Sequence, residues 1–247
     1  MRLLGRRAII TGSSRGLGKA LAVKLAQEGC SVTAVARNQD LLKNTVEQLP
    51  TLGNLQKHKY LSLDLMSLVE NPRPRELQSA LEECNILINC AGQTTHSLLP
   101  RLDDQAIVST INLNLTAPIL LTKMFYKSVI KQRSKRETDS FKPSVLNISS
   151  ILACSSHTYP GTSVYASSKA GVARFTQCLA EELQGRLRVN VILPGLITET
   201  DMGSKALIPS PPTPMELILQ TAMDIILDES MNSSCIVIDE TRKYNYK

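Results

Sequence analysis

Tryptophan is absent from this 247-residue chain, and phenylalanine occurs only 3 times. That scarcity argues against a nucleic-acid surface built on stacked aromatics. The cysteines, Cys30, Cys84, Cys90, Cys154, Cys178 and Cys235, include no C-x-x-C pair. Neither a disulfide framework nor a metal site is expected, and reduced thiols are the default. No run approaches the ~18 apolar residues that a membrane span requires. Strand-like sequence begins by about Ala8, so no apolar secretory leader is expected. A hydrophobic content of 43% excludes a disordered chain. The net charge of +6 is concentrated. Residues 123–137 hold Lys123, Lys127, Lys131, Arg133, Lys135 and Arg136 against one acid, Glu137, and the rest of the chain is nearly neutral.

What is present is an alternation. Short runs rich in Val, Ile and Leu, near 7–11, 31–36, 60–63, 86–88, 144–148, 188–193 and 235–238, predict strands. Segments of helical period, near 16–28, 40–49, 75–83, 104–132, 163–184 and 215–227, separate them. Strands without clear polar alternation, joined by helices, imply a parallel sheet covered on both faces. The crossover rule then gives a doubly wound α/β sheet of about seven strands in three layers. Residues 133–143 are expected to be a polar surface loop. Residues 203–214 carry four prolines and are expected to be irregular. No repeat or linker divides the chain, so one domain, 1–247, is expected.

The turn Thr11-Gly12-Ser13-Ser14-Arg15-Gly16-Leu17-Gly18 lies between the first strand and the first helix. Gly12 allows a tight exit from the strand. Gly16 and Gly18 clear the approach of a pyrophosphate to the helix N-terminus. Its T-G-x-x-x-G-x-G spacing differs from the commoner G-x-G-x-x-G turn. The second strand ends Ala36-Arg37-Asn38, with no acid until Asp40. A ribose 2′-hydroxyl is held by a carboxylate at such a point, whereas a 2′-phosphate needs a cation. Arg15 and Arg37 therefore favour NADP(H), with a solvated strand-end charge as the plain alternative for Arg37. Asp64 suits either an adenine contact or a helix N-cap.

Tyr165 and Lys169 stand four residues apart near the start of a predicted helix, on one face. At a separation of ~4 Å and an effective dielectric of ~20, the ammonium favours the phenolate by about 4 kcal/mol. That lowers the tyrosine pKa toward the working range of an acid-base group. Asn89-Cys90-Ala91-Gly92 and Asn147-Ile148-Ser149-Ser150 close the fourth and fifth strands, at the carboxyl edge where such sheets bind ligands. Asn114 sits inside a long helix, a poor place for Asn on propensity alone.

Taken together, the glycine turn, N-C-A-G, Asn114, Ser150, Y-x-x-x-K and Pro194-Gly195 resemble the short-chain dehydrogenase/reductase family over about residues 6–202. Within it, L-I-N-C-A-G-Q-T, N-I-S-S-I-L and P-G-T-S-V-Y-A-S-S-K-A most resemble 3-oxoacyl-acyl-carrier-protein reductases of the fungal mitochondrial type. The resemblance implies a Rossmann-type fold and reduction of a keto group by NADPH. It implies Tyr165 as proton donor and Lys169 as holder of the nicotinamide ribose. It implies Ser150, with Ser149 as the weaker candidate, on the substrate carbonyl, and Asn114 as a helix kink holding a water for a proton relay. Ser14, Leu17, Asn89, Ala91, Gly92, Pro194, Gly195, Ile197 and Thr198 join the glycine turn as cofactor contacts.

By the same resemblance, the basic stripe Lys123, Lys127, Lys131 and Arg133 is a docking surface for an acidic acyl carrier protein, with a solvated helix face as the plain alternative. A homotetramer and a mitochondrial location are implied, with the cytoplasm as the alternative. Arg2, Arg6 and Arg7 precede the first strand too closely for a cleavable transit peptide. The end of the chain, from about 203, departs from the family pattern. The competing functions are another carbonyl or quinone reductase, and a non-catalytic NADP-binding subunit.

Overall fold

In a computed structural model, residues 2–71, 74–132, 141–206 and 210–246 are described. The strands are β1 (Arg7–Thr11), β2 (Ser31–Ala36), β3 (Lys59–Ser62), β4 (Ile86–Asn89), β5 (Ser144–Ile148), β6 (Arg188–Pro194), β7 (Cys235–Asp239) and β8 (Arg242–Asn245). The helices are α1 (Gly16–Gln27), α2 (Gln39–Glu47), α3 (Arg75–Glu82), α4 (Asp104–Ile111), α5 (Ala117–Gln132), α6 (Ser163–Glu182) and α7 (Met215–Leu227). All strands form one sheet in the order β3-β2-β1-β4-β5-β6-β7-β8, parallel except for the β7–β8 pair.

Every residue of β4, β5 and β6 is buried, as a sheet covered on both faces demands. Alternate side chains feed two cores. Ile10, Ile88, Leu146 and Ile192 pack with Leu21 and Leu25 of α1 and Ile218 and Ala222 of α7. Ile9, Leu87, Val145 and Val189 pack with Leu77 of α3, Phe125 of α5 and Ala180 of α6 on the opposite face. Each fully buried Leu or Ile contributes about 1.5–3 kcal/mol, so these two layers hold the strand ends rigidly.

The sheet has eight strands rather than about seven. The extra one, β8, is exposed at every position, so it lacks the apolar run that marks the others. Glu240, at φ 50°, turns the chain back after β7, and Arg242 and Lys243 blunt the new sheet edge with charge. The predicted 104–132 helix is interrupted: residues Asn112–Thr116 form one π-helical turn between α4 and α5. Of the predicted 133–143 loop, 133–140 lies outside the described residues, and with it Arg133, Lys135 and Arg136. The proline-rich segment is irregular where described, apart from a bridge between Leu196 and Pro212.

Candidate active site

The parallel register sets the site. Asn89 at the end of β4 lies opposite Asn147 in β5, which lies opposite Val191 in β6. The strands therefore deliver their carboxyl ends at one level, beside the β1–α1 turn. Gly12 adopts φ 71°, and a Cβ there would lie 2.8 Å from the Ala91 Cα. A Cβ on Gly18 would collide with the Gly12 carbonyl. These two glycines thus let the 89–92 segment and the first helix close on the turn. Thr11 Oγ1 accepts from the Cys90 and Ala91 amides, both at 3.1 Å. Ser13 Oγ donates to the Ile10 carbonyl at 3.0 Å and accepts from the Val35 amide at 2.9 Å. Thr11 and Ser13 hold the cradle in shape, and only the bare T-G-x-x-x-G-x-G pattern hinted at them.

No side chain caps the N-terminus of α1. Its first amides suit an anion, and the Arg15 side chain extends from the cap position into solvent. Arg37 is exposed at the end of β2 and has no ion-pair partner among the described residues. Ser14 is partly buried and accepts from Thr45 Oγ1 at 3.4 Å, while Leu17 faces the core. Asp64 caps a short 3-10 helix, with Oδ1 accepting from the Met66 amide at 3.0 Å. Of its two readings, the N-cap is the bond that forms here. The cradle, the uncapped helix end and the two arginines fit a phosphorylated dinucleotide.

Asn89 turns its side chain inward. Its Nδ2 donates to Asn147 Oδ1 at 2.8 Å and Thr122 Oγ1 at 3.2 Å, and Asn147 Nδ2 donates to Thr176 Oγ1 at 2.8 Å. That buried chain ties β4, β5, α5 and α6 together through Asn89 Nδ2, and leaves Asn89 Oδ1 buried without a partner among the described residues. Asn114, 1% exposed, is placed by the π turn. Its Nδ2 donates to the Gln93 carbonyl at 2.8 Å and to Ser168 Oγ at 3.0 Å, and its Oδ1 accepts from the Gln93 amide at 2.9 Å. A Cβ at Gly92 would lie 3.3 Å from Asn114 Oδ1 and 3.4 Å from the Lys169 Nζ. Gly92, Asn114 and Lys169 therefore meet.

The two serines separate. Ser149 Oγ donates to the Lys169 carbonyl at 2.7 Å and so anchors α6. Ser150 Oγ caps the Leu152 amide at 3.3 Å and is near enough to the Tyr165 phenol to hold its pKa down. Lys169, buried, donates to the Ile148 carbonyl at 2.9 Å, with its Nζ 5.8 Å from the Tyr165 ring centroid.

The expected acidification of Tyr165 by Lys169 is not what the site shows. Burial pushes the phenol above its ordinary value, and Ser150 acts the other way. Burial also lowers the Lys169 ammonium to about 8, with Cys90 opposing. Desolvation outweighs the pair attraction because both charged forms are withdrawn from water while the cation is held by a backbone carbonyl. Cys90 itself is pushed up to about 11 by burial and is a neutral thiol.

At the end of β6, Pro194 is buried, and the next residue, Gly195, lies against Thr213 Oγ1, where a Cβ would clash. Ile197 packs on the core. Thr198 is exposed; it is Thr200 that lies over the glycine turn, its Cγ2 3.3 Å from a Cβ built on Gly16. Two threonines in Ile197-Thr198-Glu199-Thr200 are indistinguishable by pattern, and only the path of the turn selects one.

Residues 6–208 match the family model for short chain dehydrogenase. The chain belongs to the short-chain dehydrogenase family. It is therefore an oxidoreductase. It is 34% identical to a 3-oxoacyl-acyl-carrier-protein reductase of Thermotoga maritima, over 83% of this chain and 79% of that one. It is 31% identical to carbonyl reductase family member 4 of Danio rerio, over 81% and 78%. The structure of a short chain dehydrogenase from Burkholderia cenocepacia in complex with NADP superposes with a TM-score of 0.81 at 25% identity, covering 97% of this chain and 98% of that one. Among the described residues no helix is long and apolar enough to cross a membrane.

Proposed function

We propose that this short-chain dehydrogenase reduces the keto group of a 3-oxoacyl thioester carried by an acyl carrier protein, with NADPH as the reductant. The observation that carries the reading is the convergence of Tyr165, Lys169 and Asn114 at Gly92. The Lys169 Nζ lies 5.8 Å from the Tyr165 ring centroid and 3.4 Å from a Cβ built on Gly92, and Ser150 acts against burial to hold the phenol's pKa down. A phenol held above its ordinary pKa stays protonated near neutral pH, which is the form reduction needs. The cofactor, when bound, supplies the hydride. Gly12, Gly16, Arg15 and Arg37 would hold its phosphates, with Gly92, Lys169, Pro194, Gly195 and Thr200 flanking its other end.

The chain's own work is then protonic. Ser150 orients the keto oxygen by a hydrogen bond, and Tyr165 gives that oxygen its proton. Lys169 supplies positive charge under the phenolate left behind. Asn114, beside Lys169, is in place to hold a water that returns the proton from solvent.

Similarity to carrier-protein reductases supports the substrate class. So does charge: Lys123, Lys127 and Lys131 are exposed on one stripe of α5, with no acidic partner among the described residues. Similarity to a carbonyl reductase supports a second reading, a small-molecule carbonyl or quinone reductase. Turnover of acetoacetyl-acyl-carrier-protein, acetoacetyl on a small thiol and a quinone separates the two. The first reading predicts highest kcat/KM on the protein-linked substrate. Charge reversal at Lys127 and Lys131 should raise KM for that substrate alone, whereas equal effects on both thioesters refute docking. A homotetramer and a mitochondrial location are supported by resemblance alone; light scattering and cell fractionation test them.

A further inference from the structure

The residues after β6 form a turn that bonds to itself. Thr200 Oγ1 donates to the Ile197 carbonyl at 2.9 Å and accepts from the Gly203 amide at 3.0 Å. The Ser204 amide donates to the Thr200 carbonyl at 2.8 Å. A Cβ at Gly203 would overlap the Ile197 carbonyl, so the turn closes only around glycine there. Glu199 fixes its outer side by accepting from the Met215 amide at 3.4 Å.

This closed turn presents two side chains to the phosphate cradle. The Thr200 methyl covers Gly16, and Asp201 Oδ2 meets Arg15 Nη1 at 2.8 Å. Arg15 is the cation inside the glycine turn, yet its guanidinium already has an anion. Both side chains remain well exposed, at 69% for Arg15 and 61% for Asp201, so a solute can reach and part them.

We propose that Asp201 competes with the cofactor's phosphate for Arg15 and so sets how strongly the chain prefers NADPH over NADH. The proposal rests on the NADP(H) reading given above. A cofactor bearing a 2′-phosphate draws on Arg15 and has to displace the carboxylate. NADH lacks that phosphate and leaves the ion pair in place. Asp201 therefore weakens NADPH selectively. Arg37, exposed just after β2 and without an ion-pair partner among the described residues, offers the same phosphate a second cation that Asp201 does not occupy.

The test is the dissociation constant of NADPH and of NADH, by titration of the full chain, for wild type, Asp201→Asn, Arg15→Met and the double variant. Glu199→Gln is the control, since it removes the same charge from the same turn without touching Arg15. Asp201→Asn should tighten NADPH about two- to fivefold, the range of an exposed ion pair, and leave NADH unchanged. The gain should shrink with added salt. In the Arg15→Met background Asp201→Asn should have no effect. If wild type binds NADH as tightly as NADPH, the cofactor reading and this proposal fall together. If wild type prefers NADPH but Asp201→Asn moves both cofactors alike, or neither, only the role of Asp201 falls. An effect that persists without Arg15, or is matched by Glu199→Gln, overturns it as well.

Discussion

Lys169 and Arg15 are two cations of one cleft, yet Lys169 is 5% exposed and the Arg15 side chain 69%. Around Lys169 stands a wall of buried amides and hydroxyls: Asn89, Asn114, Asn147, Ser149 and Thr176, bonded across neighbouring elements, and Ser150, which caps its own turn. At the rim, Arg15 meets the exposed Asp201, and Arg37 adds exposed charge where the second strand ends. The wall shows that burial, not pairing, governs the protons there: it lifts the Tyr165 phenol and lowers the Lys169 ammonium to about 8. The rim works by Coulomb attraction through water, which is weak per pair and sensitive to salt. In the proposed function, chemistry falls to the wall and selection among cofactors to the rim.

The contrast is broken most directly by Tyr165→Phe. It removes one oxygen from the wall and none from the rim. Turnover should fall by at least about 10²–10⁴-fold, the range of a lost acid-base group, while NADPH binding by fluorescence titration stays within about twofold. Gly18→Val tests the joint between wall and rim. Its side chain would strike the Gly12 carbonyl, so cofactor binding should be lost and the melting temperature lowered in a thermal scan. A pH series sharpens the role of burial. Lys169 falls from 10.5 to about 8 in the folded chain, so kcat/KM should decline above pH 8 as the ammonium loses its proton. Stability should move the other way. Between pH 8 and 10.5 the unfolded chain binds the extra proton, so this group's contribution to stability rises with pH across that window. Denaturant melts and initial rates on one sample check both signs.

The smallest effect lies away from the site. His58 accepts from the Val32 amide through Nδ1 at 3.2 Å and reaches the Pro50 carbonyl through Nε2 at 3.2 Å. Burial lowers its pKa from 6.5, so it folds neutral. Stability should decline slightly as pH falls below 6.5, and His58→Gln should flatten that slope without changing turnover.

The parallel strands and their helices were legible because a sheet buried on both faces needs uninterrupted apolar runs, and Ile86–Ile88 and Val189–Leu193 supply them. β8 was not, because an exposed edge strand of Arg, Lys, Tyr and Asn carries no such run. The residue set Asn114, Ser150, Tyr165 and Lys169 could be named from spacing and resemblance, and the structure brings the four into one corner. Their electrostatics could not. An estimate from charge separation alone gives an acidified phenol, because a sequence carries no measure of how much water each group loses. Thr198 was the wrong threonine to place near the turn for a similar reason: the closed loop around Gly203 decides which of the pair points back.

The order of residues thus settled the layered sheet, the glycine turn and the chemical kinds of group gathered at its edge, since periodicity and local backbone freedom are properties of neighbours in the chain. Which serine faces the phenol, where the lysine aims its proton, and that Asp201 rests on Arg15 were decided only by folding. Those are relations between residues 15 to 186 positions apart, and their energies depend on the solvent that packing removes.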